Sequence, residues 1–171
     1  MKILPIAGLC IAGLLAAVLA HQHNPSGSAK PMPIAFDCPD FSRSRITVGA
    51  NSMSIGIAAT AQEQRRGLSD CREVPVGLGL LFPYQPPQPA VFWMKDMLIP
   101  IDIIWIADGQ VVGVEHNVPP PVPGTPNKTL VRYPAPEPVS AVLEVAAGTA
   151  VEQGIEVGTH VTGLPPAAAI K

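Results

Sequence analysis

Apolar and polar positions alternate in short runs along most of this chain. Ile46 and Val48 flank Thr47, and Met53, Ile55 and Ile57 alternate with Ser54 and Gly56. A period of two is the mark of a half-buried strand, so two strands are predicted, joined at Gly49-Ala50-Asn51. Gly77–Phe82 reads as a short buried strand and Tyr84–Pro89 as a loop. Strands follow at 91–96 and 101–107. Asp108-Gly109 then separates two alternating apolar runs, a strong hairpin signal, and Gln110–Val114 forms the returning strand. Val139–Val145 is a further strand with Ala141, Leu143 and Val145 on one face. Thr159–Thr162 is the last.

Helices are few and short. Thr60-Ala61-Gln62-Glu63 has the form of a capping box, in which the Thr60 hydroxyl and the Glu63 carboxylate each accept the other residue's amide hydrogen. It predicts a helix from Ala61 to Arg66 that stops at Gly67. A second short helix is expected near Thr149–Gln153. Residues 118–138 are proline-rich and read as a long irregular loop, either a binding surface or a stiff excursion.

The densest apolar stretch, VFWMKDMLIPIDIIWI at 91–106, holds Lys95, Asp96 and Asp102. Pro100 interrupts it and charges near its middle are costly in lipid, so it reads as buried sheet, not a membrane span. On strand 91–96, Phe92, Met94 and Asp96 fall on one face, Trp93 and Lys95 on the other.

Composition supports a mainly β fold. The chain has 171 residues, 21 of them proline and 15 glycine, which disfavours a helical bundle. Net charge is -2 and no basic cluster exceeds Arg65-Arg66, so nucleic acid is not an expected partner. No cofactor is expected; the sequence has no phosphate-loop pattern, and without a nucleophile elbow a serine hydrolase is unsupported.

Residues 1–20, with Lys2 ahead of an apolar run ending at Ala20, predict a signal peptide, or a membrane anchor if uncleaved. Residues 21–44 read as a flexible arm, 45–164 as a single β domain and 165–171 as a tail. Export to the periplasm or beyond would leave Cys38 and Cys71, which suggests a disulfide; two free buried cysteines are the alternative. Such a bond would close a loop of 33 residues, worth about 3–4 kcal/mol. Cleavage after Ala20 would also start the mature chain His21-Gln22-His23, whose amine and imidazoles suit Cu(II) or Ni(II), although an incidental polar arm fits as well.

Arg66, Trp93, Lys95, Asp102 and Glu144 are the candidate site: an aromatic wall with convergent charges suits a small polar ligand or an envelope partner. Lys95 with Asp102 or Glu144 could instead act as an acid–base pair. The purely structural alternative pairs Lys95 with Asp102 and Arg66 with Glu144 as buried ion pairs.

An ordered set of motifs resembles a known family. Arg65-Arg66-Gly67-Leu68, Gly79-Leu80-Leu81-Phe82, Phe92-Trp93-Met94-Lys95-Asp96-Met97, Pro100-Ile101-Asp102, and Val142-Leu143-Glu144 with Gly148 run in its order over about residues 46–162. The family is the prokaryotic domain of unknown function family number 192, also called the ACR family. The resemblance implies a small β-sandwich or partly open barrel and no established activity. Asp96 and Met97 stand where the family usually has Asn and Thr, and Ser69 and Leu80 where it has Met. Asp96 is a further candidate ligand contact, with a charge in place of an amide.

Overall fold

The computed structural model describes residues 38–40 and 44–165. In chain order the elements are β1 (Ser44–Val48), β2 (Asn51–Ile57), α1 (Ala61–Arg66), β3 (Leu78–Gln88), β4 (Val91–Phe92), β5 (Ile101–Ala107), β6 (Gln110–Val118), β7 (Tyr133–Pro134), β8 (Val139–Ala146), α2 (Thr149–Glu152) and β9 (Val161–Thr162). Seven strands form one sheet in the order β6-β5-β8-β3-β2-β1-β9, and β4 pairs with β7 in a small second sheet. Only the β2–β3 pair is parallel among these ladders, because the chain passes through α1 between them.

The sheet curls into a half-barrel. Ile46 and Val48 of β1, Val161 of β9 and Val111 of β6 lie at opposite ends of the strand order, yet share one buried cluster with Ile55, Leu81, Ile104 and Leu143. The two edges also meet: the Val111 amide donates to the Thr159 carbonyl at 2.9 Å and the Val161 amide to the Gly109 carbonyl at 2.8 Å. The opposite face of the sheet carries a second cluster, with Leu80, Phe82, Ile103, Trp105 and Val142 packed under Leu68, Met94 and Met97. Each strand therefore feeds two cores by alternation.

Most predicted elements stand where the pattern puts them. The capping box is present with both reciprocal bonds, the Glu63 amide donating to Thr60 Oγ1 at 3.1 Å and the Thr60 amide to Glu63 Oε2 at 2.8 Å. Thr60→Ala should cost about 1 kcal/mol, read as a fall in the urea midpoint with an unchanged m-value. Cys38 and Cys71 are placed as a disulfide, their Cα atoms 5.0 Å apart. His21 and His23, and the leader and most of the arm with them, lie outside the described residues.

Two strand expectations are corrected. β3 does not stop at Phe82; it continues through the proline-rich 84–88, because proline's fixed φ suits extended backbone. Its pairing with β8 skips from Pro83 to Gln88, as expected where prolines donate no amide. Strand 91–96 ends at Phe92. Asp96 takes a left-handed φ of 57°, and the loop after α1 claims the backbone instead: Ser69 Oγ donates to the Lys95 carbonyl and the Asp70 amide to the Asp96 carbonyl, each at 2.9 Å.

Candidate functional site

Glu144 is the centre of the site. It lies on β8, the strand between β5 and β3, and its register partners are Ile103 and Leu80. Alternation that sends Leu143 and Val145 into the barrel sends Glu144 to the opposite, equally apolar face. Only 5% of the residue is exposed, and its Oε2 has no hydrogen-bond partner among the described residues. Burial alone pushes its carboxyl up to about 8, because a charge here would lose its hydration with nothing in exchange.

A cleft of about 110 Å³ opens over this carboxyl, between the end of α1, β3 and the 91–97 segment. Gly67 makes the floor. With φ at 51° it ends the helix, and a Cβ there would sit 3.7 Å from Glu144 Oε2 and 3.3 Å from Phe82 Cζ. The wall is aromatic. Phe92 stands edge-on to Phe82 with ring centroids 4.9 Å apart, and to Trp105 at 5.5 Å. Tyr84 also lines the cleft; burial first, then the Glu144 charge, pushes its hydroxyl up to about 12. A larger hollow of about 280 Å³ lies on the other side of Arg66 and Gly67, but none of its lining residues carries an unpartnered buried side-chain atom among the described residues.

Four of the candidate residues meet at this cleft: Arg66, Trp93, Lys95 and Glu144 all line it. Lys95 pairs with the neighbouring Asp96, both side chains well exposed. Asp96 therefore reaches the site only through Lys95. Trp93 is 36% exposed and carries the Arg132 guanidinium over its ring, 3.8 Å from the centroid.

Asp102 is elsewhere. It points into the barrel side, fully buried, and its oxygens accept three backbone amides: Asn117 at 2.8 Å, Gly148 at 3.2 Å and Ala150 at 2.8 Å. Gly148 precedes α2 and has no side chain to cap it, so Asp102 acts as the cap from another strand. The expected Lys95–Asp102 ion pair does not form, since Asp102 is committed to amides and Lys95 to Asp96.

Sequence reasoning missed Gly67, Tyr84, Phe92 and Arg132 as site residues. Gly67 was legible only as a helix stop and Tyr84 as loop. Phe92 was assigned to the face opposite Trp93, which holds only for a continuous strand. Arg132 belongs to the proline-rich loop, and nothing local ties it to Trp93.

Comparison with known proteins gives the lineage. A search of curated proteins finds no match. Among solved structures, the chain is similar to a protein of unknown function from Novosphingobium aromaticivorans, with 32% identity over 69% of this chain and 83% of that one, at a TM-score of 0.62. It is also similar to a structure described as a putative transcription regulator from Sinorhizobium meliloti, with 26% identity over 70% of this chain and 92% of that one, at a TM-score of 0.63. The model of the family described as uncharacterized ACR, domain of unknown function 192, matches residues 44–163, and it is to this family that the chain belongs.

Proposed function

We propose that this chain is an exported binding module that takes a small polar ligand into the cleft over Glu144. The observation that carries the reading is Glu144 itself. A buried carboxyl oxygen without a partner costs about 1–3 kcal/mol, and a native fold retains such a cost where something else completes the bond. The cleft supplies what a ligand site needs: a preformed concavity, an aromatic wall and a few convergent polar groups. Export is supported by the Lys2-led apolar run and by the paired cysteines. Net charge of -2 gives nucleic-acid phosphates little to hold.

Mass spectrometry of the protein purified from its source organism tests this, comparing native with denaturing spray. A small added mass should be present only in the native spectrum, and Trp93→Ala should lose it while keeping the wild-type melting temperature. A bare native mass, or a ligand indifferent to Trp93→Ala, would overturn the reading. The denatured mass also tests export, because cleavage after Ala20 shortens the chain by a known amount.

A carboxyl poised near neutrality also suits a general acid, which favours an enzyme as the second reading. That reading requires Glu144→Gln or Lys95→Ala to keep the ligand bound and to stop its conversion.

A further inference from the structure

We infer that the cleft is built for a small carboxylate, held by a hydrogen bond from the buried, unpartnered carboxyl group of Glu144 and by the cationic side chains around it. This rests on the binding reading above and narrows it to one ligand class.

Charge comes first. Arg65, Arg66 and Lys95 line the cleft, and Glu144 is its only acidic lining residue among the described residues. Arg132 adds a fourth cation at Trp93. The Lys95–Asp96 pair is exposed, and such pairs are worth about 0–1 kcal/mol, so the ammonium can turn to a ligand at little cost.

Hydrogen bonding comes second. Glu144 keeps its proton at neutral pH, so its unpartnered buried oxygen belongs to a carboxylic acid with an O–H to donate. A ligand carboxylate supplies the acceptor oxygen and the negative charge together, and O–H···O⁻ bonds are among the strong ones. An ammonium ligand would meet a neutral acid, a cationic rim and an indole face already covered by Arg132.

Size comes third. At about 110 Å³ the cleft is smaller than an apolar cavity of about 150 Å³, which is enough to admit benzene. That leaves room for a planar group with a few more heavy atoms, flat against Phe92 and Tyr84.

Tyr84 is the other titratable group against Glu144 besides the basic residues, and it keeps its proton to about 12. Ionisation of Glu144 is therefore the event that should release the ligand. With a carboxyl near 8, the neutral fraction falls steeply above that pH, and apparent affinity falls in proportion, about thirtyfold between roughly pH 6 and pH 9.5.

The test uses the full chain labelled with ¹³C-methyl methionine, because Met97 lines the cleft and its methyl signal does not exchange with water. Acetate and pyruvate are titrated as carboxylate probes and tetramethylammonium as the cation probe. A carboxylate should shift the Met97 signal saturably at about pH 6 and lose about thirtyfold in affinity by pH 9.5. Glu144→Gln, whose amide still donates, should bind with no such pH dependence. Saturable binding of tetramethylammonium alone, or equal carboxylate affinity at both pH values, overturns the inference. So does the absence of any probe binding. If a retained mass that is not an acid then accompanies the purified protein, the binding module survives and only the ligand class fails.

Discussion

Asp102→Ala should lower the free energy of unfolding by about 3–5 kcal/mol, measured as a shift of the urea midpoint. The three amides that Asp102 accepts come from Asn117 near the end of β6, from Gly148 and from Ala150 at the start of α2. Without the carboxylate the Ala150 amide is left without its acceptor in a buried position, and the Asn117 and Gly148 amides lose theirs in part-buried ones. Hydrogen bonds to a charged acceptor are worth about 1.5–3 kcal/mol each, and three sharing one acceptor lose less than their sum. Asp102→Asn should cost less, about 2–3 kcal/mol. Its carbonyl can still serve Asn117 and Gly148, but its amide nitrogen would face the Ala150 amide, donor against donor. An acid–base role for Asp102 predicts the reverse, a stable Asn variant that has lost turnover. Wild-type stability in Asp102→Asn would therefore sink the capping account.

The wild-type protein should become less stable as pH rises from about 4.5 to 8, and Glu144→Gln should abolish that part of the slope. The folded state holds Glu144 protonated up to about 8, whereas its ordinary value is 4.5. Across that window the folded chain binds one proton more than the unfolded chain, so stability falls with rising pH. It is fully present below the ordinary value and gone above the folded one. At 1.36 kcal/mol per pH unit the loss is about 4–5 kcal/mol across the window. The measurement is the difference in unfolding free energy between wild type and Glu144→Gln at several pH values. The two should be close near pH 5, with the Gln variant clearly more stable near pH 9. A difference that stays flat with pH would mean that Glu144 ionises normally, and the neutral-acid account of the cleft would fall with it.

Each result speaks to one face of the sheet. Asp102 and Glu144 are both acids set between aliphatic residues on adjacent strands, and they are nearly opposite in register, Asp102 beside Val145 and Ile103 beside Glu144. One step of alternation separates them. Asp102 turns to the barrel side, where loop amides wait. Glu144 turns to the outer cluster, where the chain has left a cleft and no partner among the described residues.

Much was legible in the chain. The period of two in β1, β2, β5, β6 and β8 needs only local backbone geometry, and so does the Asp108-Gly109 hairpin. The capping box between Thr60 and Glu63 closes within one turn, and Gly67 stops the helix because it tolerates a positive φ. These features depend on residues a few positions apart, which is why the sequence determined them by itself. The motifs from Arg65 to Gly148 determined the family in the same way. The site was legible only as a set of residue types. Arg66, Trp93, Lys95 and Glu144 were drawn together where the end of α1 and the 91–97 segment meet over β3 and β8, and Asp102 was withdrawn from them by amides of residues up to 48 positions away. Nothing in the local pattern of PIDII around Asp102 or VLEV around Glu144 distinguishes an acid that will find three donors from one that will find none. That difference lies in which distant backbone closes over each face, and only the tertiary structure decided it.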